Sequence, residues 1–313
     1  MTNQSENSAV PTVSVIIPTY RHRDYVLAAL DSVFKQTYSD YEILLINDGS
    51  PDDTADVVRS VVEQRGIRYY EKPNGGQANA RNFGLQLARG RYIAFLDDDD
   101  LWPANKLEWQ VAALEGAPDA VMVYGGMRLV GSSEDAALDP GPGAPEGNVT
   151  DSFLRRCRIW SPGQTVIRTD HLKAIGGLDE SPLIQGADDW DMYIRLSKRG
   201  EVVYRNELAL MYRTHDSNAS QDAIRMYQVQ VRVFHKHLGI APWREPAVRR
   251  EFRGATGAYC LRVLDQALAR RRSGRKLGAL AAALYAVRIA PTLLRERHFW
   301  VHRAWPLVTG KGW

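Results

Sequence analysis

The sequence predicts an α/β protein built on a doubly wound, mostly parallel β-sheet. Short apolar runs rich in β-branched residues alternate with helical patterns from residue 10 to about residue 125, as in successive βαβ units. These runs are apolar throughout rather than alternately polar, which is expected of strands covered on both faces. The 313 residues, 44% of them hydrophobic, suffice for one large domain or for two.

The elements of this first half follow one another closely. Strands are predicted at residues 13–17, 41–48, 67–72 and 92–97, and helices at about 25–36, at 54–65 and within 74–90. Pro18 is expected to close the first strand, and the turn "DGSPDDT" precedes the second helix. Another helix is expected directly from Leu101, with Asp100 as its cap and Pro103 in its first turn.

Beyond residue 130 the pattern changes. The segment "GSSEDAALDPGPGAPEGNVT" is rich in glycine, proline and acidic residues and predicts a loop or flexible flap. A strand with a short helix is predicted within residues 162–180, an amphipathic helix within 186–200, and one or two strands within 202–215. From about residue 222 to about residue 294 the pattern is helical.

Charge is distributed unevenly along the chain. Residues 1–240 carry a net charge of −8, whereas residues 241–313 carry +11. The basic tail contains the cluster Arg270, Arg271, Arg272, Arg275 and Lys276, followed by the apolar segment 277–294. Arg288 and Pro291 interrupt that segment, so it is expected to lie on an anionic membrane surface rather than to cross a bilayer. A nucleic acid partner and a solvated helical appendage are the alternatives for the tail.

Cysteine usage and the N-terminus bear on location. Cys157 and Cys260 have neither the spacing of a metal site nor the density of a disulfide framework, which favours a reduced, cytoplasmic setting. The start "MTNQSENSAV" has no basic region followed by an apolar one. No signal peptide is therefore expected, and residues 1–10 are expected to be disordered.

Polar groups stand at the ends of three predicted strands, and ligands of open α/β sheets bind beyond these carboxyl ends. They are Pro18, Thr19 and Tyr20 after the first strand, Asp48 after the second, and Asp97, Asp98, Asp99 and Asp100 after the fourth. The chain has no phosphate-binding loop of the GxxxxGK type. For Asp48 or Asp97 taken alone, a role as a turn or cap residue is an equal alternative.

These side chains suit a nucleotide bound with a divalent cation. Asp48 can accept the imide N–H of uracil or the amino groups of another base, and Tyr20 can stack on that base. Clustered carboxylates are tolerated when Mg²⁺ or Mn²⁺ neutralises them, and such a cation would stabilise a departing nucleoside diphosphate. Arg81 is expected to add positive charge to the phosphates, with a surface arginine on the first turn of a helix as the alternative.

The stretches "SVIIPTYRHRDYVLAALDSVFKQTYSDYEILLINDGSPDDT" and "NGGQANARNFGLQLARGRYIAFLDDDDLWPANKLE" together resemble family 2 glycosyltransferases, which have the GT-A fold. The resemblance covers about residues 11–215. It implies a nucleotide-binding half at 11–125 and an acceptor half at 126–220. A helical, basic C-terminal region would follow at 221–313.

The resemblance implies roles for the residues around the sugar nucleotide. Asp48 takes the position of the family's base-binding carboxylate, with Pro18, Thr19 and Tyr20 lining the base pocket. A UDP-sugar is therefore favoured as the donor substrate.

The family's DxD motif falls on Asp97, Asp98 and Asp99. Asp97 would lie near the ribose or the cation, and Asp99 would be the main protein ligand of the Mn²⁺ or Mg²⁺ ion. Asp98 is expected to be turned away as a spacer, within the nucleotide-sugar site. His215 takes a position where some relatives have a histidine near the diphosphate or the cation, with a structural histidine as the alternative.

The resemblance also implies residues on the acceptor side. The family's catalytic base comes from an acidic pair that opens a helix, here Asp188 and Asp189 in "GADDWDMYIRL", and Asp189 takes the position of the base. An acidic helix start favoured by the macrodipole is the alternative. Gly177 in "IGGLDE" resembles the turn before that helix, and Trp160 is expected either to stack on an acceptor sugar or to belong to the core.

These features imply an inverting, metal-dependent glycosyltransferase that adds a single sugar to a glycan or lipid-linked acceptor in surface polysaccharide synthesis. The Gln-x-x-Arg-Trp motif of processive relatives is absent. The expected location is the cytoplasm, with peripheral contact at the inner face of the cell membrane, and no nucleic acid partner is expected. A nucleotidylyltransferase that makes a sugar nucleotide and a non-catalytic nucleotide-sugar binding protein are the rival functions.

Overall fold

The computed structural model describes residues 10–156, 158–215 and 222–239. Cys157, Cys260, residues 1–9 of the N-terminus predicted to be disordered, and the basic tail lie outside the described residues. The chain divides into two compact units: the described residues up to Phe153 with those from 158 to His215 form one, and residues 154–156 with 222–239 belong to the other. Within these described ranges, no helix is both long and apolar enough to span a bilayer.

The strands and helices follow the alternation that the sequence predicts. In chain order they are β1 (Val13–Thr19), α1 (Val26–Phe34), β2 (Tyr41–Asn47), α2 (Thr54–Arg65), β3 (Arg68–Glu71), α3 (Gln77–Leu87), β4 (Tyr92–Phe95), α4 (Lys106–Glu115), β5 (Ala120–Leu129), α5 (Thr150–Arg155), a 3-10 helix (Pro162–Gln164), β6 (Thr165–Arg168), α6 (Thr169–Ala174), α7 (Asp188–Ser197), β7 (Glu201–Tyr212) and α8 (Ala223–Leu238).

Seven strands form one sheet in the order β3-β2-β1-β4-β6-β5-β7. Only β6 runs antiparallel to its neighbours, β4 and β5, so the predicted mostly parallel sheet is confirmed. The chain passes from β1 outward to β2 and β3 and then returns to β4 on the other side of β1. The crevice beyond the ends of β1 and β4 is therefore the topological switch point, where open α/β sheets bind ligands.

Helices cover both faces of the sheet. Side chains alternate between the two faces along a strand. Val13, Val15 and Ile17 belong to one core cluster with residues of α1 and α4. Ile16 points to the opposite face, where its Cγ2 lies 2.5 Å from the place that a Cβ on Gly84 of α3 would occupy. Only glycine allows α3 to approach β1 so closely.

Strand β1 is two residues longer than predicted and contains Pro18. Thr19 O accepts a hydrogen bond from Asp48 N on the β2 side. Pro18 therefore faces β4, whose ladder with β1 ends at Ile16. Its missing N–H breaks no pairing there, and the proline is tolerated inside the strand.

Strand β5 was not predicted, because Gly125 and Gly126 interrupt its apolar pattern. A Cβ on Gly125 would lie 2.7 Å from Glu207 O and 2.8 Å from the ring of Trp109. The glycine is required where β5 passes β7 with irregular register. One or two strands were expected within residues 202–215, and the structure has the single strand β7 at Glu201–Tyr212.

Candidate active site

Asp97, the first of the four consecutive aspartates, follows β4 at the switch point. One of its oxygens accepts hydrogen bonds from the Arg81 guanidinium and, at 3.0 Å, from Gln77 Nε2. Ser161 Oγ donates to the other oxygen at 3.3 Å. The carboxylate that the sequence predicts near the ribose or cation is thus held by side chains of α3 and of the loop before β6.

Asp98 turns toward the segment after β1. Its Oδ2 accepts a hydrogen bond from Tyr20 N at 3.3 Å, and its Oδ1 lies 2.7 Å from His22 Nδ1. Its side chain is almost fully buried. The hydrogen bond to Asp98 raises the pKa of the His22 imidazole above its ordinary value. Asp98 therefore orients a histidine that the sequence analysis did not single out. Its place as a spacer within the nucleotide-sugar site stays a prediction.

Asp99 and His215, the two predicted cation ligands, lie together. His215 Nε2 is 2.9 Å from Asp99 Oδ2. One ligand atom from each of Asp99, His215 and His22 lies within 4.8 Å of the other two, a spacing that fits a metal ion. Burial and the negative charges of Asp97 and Asp98 raise the pKa of Asp99, so a cation would relieve a repulsion that the fold maintains.

Asp100 is not a helix cap. Helix α4 begins at Lys106 after Asn105, so the helix predicted from Leu101 with Pro103 in its first turn is wrong at its start. Leu101 instead forms an antiparallel bridge with Met211 of β7, which holds this segment extended. Asp100 Oδ1 accepts a hydrogen bond from Arg213 N at 2.9 Å, and Oδ2 is buried without a hydrogen-bond partner among the described residues.

Asp100 lies in an environment that disfavours its ionised form. Burial, together with the charges of Asp97 and Asp99, raises the pKa of Asp100 well above its ordinary value. This environment favours the protonated form of the Asp100 carboxyl group. The Arg81 guanidinium lies against Asp97, and the His22 ring lies against Asp98.

The predicted base pocket has one exposed aromatic ring. Tyr20 is 37% exposed, whereas Pro18 and Thr19 are buried. The Arg21 guanidinium lies 5.1 Å from the centroid of the Tyr20 ring. Thr19 Oγ1 is buried and has no hydrogen-bond partner in the described part of the chain. The exposed ring suits stacking on a base, which stays a prediction.

Asp48 lies at the end of β2, 3% exposed, and binds the loop that leads to α3. Its Oδ1 accepts hydrogen bonds from Lys72 Nζ and, at 3.0 Å, from Gly75 N. Its Oδ2 accepts from Gly76 N at 2.8 Å and from Asn74 Nδ2 at 3.2 Å. These four donors use all the acceptor positions of a carboxylate.

The four hydrogen bonds that Asp48 accepts limit how it could bind a base. A base that donated its N–H to this carboxylate would have to displace one of the four donors, of which the Lys72 side chain is the most readily moved. Recognition of the base by Asp48 stays a prediction, and the structure adds Lys72, which the sequence did not indicate.

Arg81 is buried, so the alternative of a surface arginine is wrong. It is 2% exposed on α3, and its guanidinium contacts Asp97 through Nη2 and Asp188 Oδ2 through Nη1, the latter at 3.4 Å. Although burial by itself lowers the pKa of an arginine, Asp97 and Asp188 hold it above its ordinary value. One permanently charged group therefore joins the aspartate cluster to the start of α7. Its predicted contact with phosphates stays a prediction.

The acidic pair at the start of α7 divides into a buried and a partly exposed member. Asp188 is buried and accepts a hydrogen bond from Gly186 N at 2.9 Å. Asp189 keeps part of its surface accessible, and its Oδ1 accepts from Trp190 N at 2.7 Å. Desolvation and the adjacent charge of Asp188 raise the pKa of Asp189 to about 8. This environment suits a general base that operates near neutral pH.

The two predicted acceptor residues differ in their surroundings. Trp160 is 51% exposed, so it is not a core tryptophan, and it directly precedes Ser161, which contacts Asp97. Gly177 has a φ of +73°, and a Cβ there would lie 2.4 Å from Asn82 Oδ1. Its turn is thus packed against α3. Contact of either residue with an acceptor stays a prediction.

Comparisons with known proteins show which family of proteins this chain resembles. The family model "Glycosyl transferase family 2" matches residues 14–155. A glycosyltransferase of Rickettsia typhi is 30% identical over 227 residues, 71% of this chain and 70% of that protein. TuaG of Bacillus subtilis, a glycosyltransferase ascribed to teichuronic acid biosynthesis, is 32% identical over 215 residues, 68% of this chain and 82% of that protein. Matches to longer Rickettsia proteins span only 26% to 31% of their length.

Solved structures share the fold at low sequence identity. TarS 1–349 of S. aureus in complex with UDP-GlcNAc has a TM-score of 0.58 and 16% identity, with 91% of this chain and 92% of that chain covered. The mannosyltransferase PcManGT of Pyrobaculum calidifontis, in complex with GDP-Man and Mn²⁺, has a TM-score of 0.59 and 20% identity, with 90% and 76% covered. The GT-A fold predicted from the sequence is thereby confirmed.

Proposed function

Because the chain belongs to glycosyltransferase family 2, we propose that it is an inverting enzyme that moves one sugar from a nucleoside-diphosphate sugar to an acceptor hydroxyl. The observation that carries this proposal is the contact of Arg81 with both Asp97 and Asp188. Through this one guanidinium, the edge that would bind the donor sugar nucleotide adjoins the helix that bears Asp189. A displacement reaction needs such proximity of leaving group and base.

The donor substrate is proposed to bind across the ends of β1, β2 and β4. Tyr20 would stack on the base, and Asp97 would face the ribose. The complexes of the structural neighbours with UDP-GlcNAc and with GDP-Man support a nucleotide sugar. A UDP-sugar is the preferred candidate because Asp48 can accept the single imide N–H of uracil once Lys72 moves.

The cation site is proposed at Asp99 and His215. A carboxylate and an imidazole are ligands that Mn²⁺ accepts, and the PcManGT complex with Mn²⁺ supports a cation in this fold. When bound, the cation would supply neutralisation of the negative charge that develops on the diphosphate leaving group.

Asp189 is proposed as the general base. The acceptor oxygen attacks the anomeric carbon as the bond from that carbon to the diphosphate oxygen breaks, and the acceptor proton passes to the Asp189 carboxylate. A single displacement inverts the anomeric configuration. Asp188 would position the base, because its own oxygens are engaged by Arg81 and Gly186 N.

The acceptor is proposed to be a glycan or a lipid-linked glycan, and the chain is proposed to act in surface polysaccharide synthesis. The likeness to TuaG supports this role. Exposed Trp160 offers a stacking surface for an acceptor sugar. Cytoplasmic location and peripheral membrane contact through the basic tail are part of the same proposal, and the tail lies outside the described residues.

The test is a screen of nucleoside-diphosphate sugars for release of the nucleoside diphosphate, with Mn²⁺, with Mg²⁺ and with a chelator. We expect one donor to be turned over in the presence of a divalent cation. A nucleotidylyltransferase would instead release pyrophosphate from a nucleoside triphosphate and a sugar phosphate. A non-catalytic binder would bind a donor without turnover. Either result would contradict the proposal.

Loading of the site should stabilise the fold. Adding Mn²⁺ with the nucleoside diphosphate at about 100 times the dissociation constant should raise the free energy of unfolding by about 2.7 kcal/mol. The Asp99→Ala variant should lose this gain, whereas Asp170→Ala, which removes an exposed carboxylate on α6, should keep it. Thermal melting measures both, and an equal shift in wild type and Asp99→Ala would contradict the proposed cation site.

The pKa of Asp189 sets the pH dependence of turnover. A base must be ionised, so kcat/KM should rise with pH and level off above about pH 8, the pKa of Asp189 beside Asp188, Arg81 and Asp97. The free energy of unfolding should instead decrease as pH rises. Because the folded pKa is raised from 3.8, the stabilisation by the protonated form is complete below that value and is lost as pH rises to about 8.

Two measurements check this pH dependence. The rate profile of kcat/KM should show the basic limb, and melting temperatures of wild type and Asp189→Asn should be compared from pH 5 to 9. The variant should become more stable relative to wild type as pH rises. A flat difference in melting temperature would show that the pKa of Asp189 is not raised.

A further inference from the structure

His22 lies in the segment after β1 and has no role in the proposed reaction so far. Its Nδ1 lies 2.7 Å from Asp98 Oδ1, and its ring stands edge-on to the ring of His215 at a centroid distance of 5.6 Å. It is only partly buried. An imidazole at the edge of a charged cluster is in a position to bind a ligand of that cluster.

The cluster of His22, Asp99 and His215 brings three metal-binding groups together. One ligand atom from each lies within 4.8 Å of the others. A six-coordinate cation with bonds of about 2.1 Å separates its ligands by about 3 to 4 Å. The spacing of the three groups is thus close to that of ligands around one cation, and other positions on the cation would remain open to diphosphate oxygens.

Asp98 fixes which nitrogen of His22 is available. A carboxylate only accepts hydrogen bonds, so Nδ1 carries the proton that it donates to Asp98. Nε2 is then the nitrogen with a free lone pair. A carboxylate that orients a histidine in this way is the usual arrangement behind a metal-binding imidazole.

We propose that His22, oriented by Asp98, is a third protein ligand of the cation held by Asp99 and His215. The proposal rests on the cation site of the proposed function and extends it. It also assigns a role to Asp98, the second of the four consecutive aspartates. Asp98 would act on the cation through His22 rather than by direct contact.

The donor set has a consequence for cation choice. Two imidazoles and one carboxylate form a softer site than carboxylates and water alone, which are the ligands that suit Mg²⁺. The site should therefore bind Mn²⁺ and Co²⁺ more tightly than Mg²⁺. Three protein ligands should also hold Mn²⁺ without any nucleotide.

Electron paramagnetic resonance of the full chain with Mn²⁺ alone tests the proposal. In wild type, the pulsed spectrum should show coupling to the nitrogens of two imidazoles. His22→Gln should leave one imidazole and weaken Mn²⁺ binding about 10- to 100-fold. Asp98→Asn should keep both couplings and weaken binding about 10-fold, the usual effect of removing a group that orients a ligand. The double variant should be no weaker than His22→Gln alone, because Asp98 acts through His22.

The control variant is His171→Gln, which removes a histidine of α6 remote in sequence from the cluster, and it should bind Mn²⁺ as wild type does. Circular dichroism confirms that each variant is folded. Two imidazole couplings in His22→Gln, or unchanged affinity, would overturn the assignment of His22. The transferase proposal would then stand if the nucleoside-diphosphate release measured in the donor screen still required Asp99.

Discussion

Asp189→Asn should lower kcat by about 10²- to 10⁴-fold, the contribution typical of a general base. The asparagine amide has the shape of the carboxyl group but cannot take the proton of the acceptor hydroxyl. Binding of the donor substrate should be nearly unchanged, because the groups proposed to hold the nucleotide lie beyond the ends of β1, β2 and β4. Release of nucleoside diphosphate under saturating donor and acceptor measures kcat, and calorimetry measures donor binding.

Asp191→Asn on the same helix is the matched control. Asp191 is fully buried and pairs with Arg195 at 2.7 Å, so its role is structural. The control variant should be less stable than wild type, yet its kcat per folded molecule should be retained. If Asp189→Asn turned over the donor as fast as Asp191→Asn, Asp189 would not be the base.

Arg81→Met should lower the free energy of unfolding by about 3–5 kcal/mol, the usual cost of removing one partner from a buried ion pair. Methionine fills a similar volume but leaves Asp97 and Asp188 without their shared positive charge. The buried Asp188 and the partly buried Asp97 would then lack a compensating charge. Urea unfolding at pH 7 measures the loss, and kcat should fall as well because Asp188 would no longer hold its position.

A double variant and a surface control make this prediction specific. Adding Asp188→Asn to Arg81→Met removes one of the stranded charges and should recover part of the lost stability. Arg59→Met removes an exposed arginine paired with Asp56 and should change the stability by less than about 1 kcal/mol. Equal losses in Arg81→Met and Arg59→Met would show that Arg81 does not bridge the two acidic segments.

The fold followed from local patterns. The strands of the first half are continuously apolar because both faces of the sheet are covered, and this signal is readable in "SVII" and "YEILLIN" without any neighbour in space. Strand β5 escaped prediction because Gly125 and Gly126 are needed for the close passage of β7, a contact between distant parts of the chain. Local pattern cannot report such a requirement.

The site was predictable in its position but not in its pairings. Strand ends in an open α/β sheet point to one edge, and Asp48, Asp97 and Asp99 do lie there. The partners of these groups come from far along the chain: Asp99 meets His215 and Asp48 meets Lys72. Which basic side chain lies against each carboxylate depends on the packing of α3 and β7.

The four consecutive aspartates show this limit most clearly. Each carboxyl group has a different environment: Asp97 binds Arg81, Asp98 orients His22, Asp99 lies against His215, and Asp100 is buried. The sequence assigned Asp100 to a helix cap because the following residues have helical propensity. The bridge of that segment to β7 overrides the propensity.

Proton NMR of the anomeric signals during turnover of the donor identified by the screen is the most direct test of single-step sugar transfer by Asp189. We expect an α-configured donor to give a β-configured product from the first turnovers, together with nucleoside-diphosphate release that Asp189→Asn slows by about 10²- to 10⁴-fold. An α-configured product would contradict the single displacement. Release at the wild-type rate in the Asp189→Asn variant would contradict the assignment of the base.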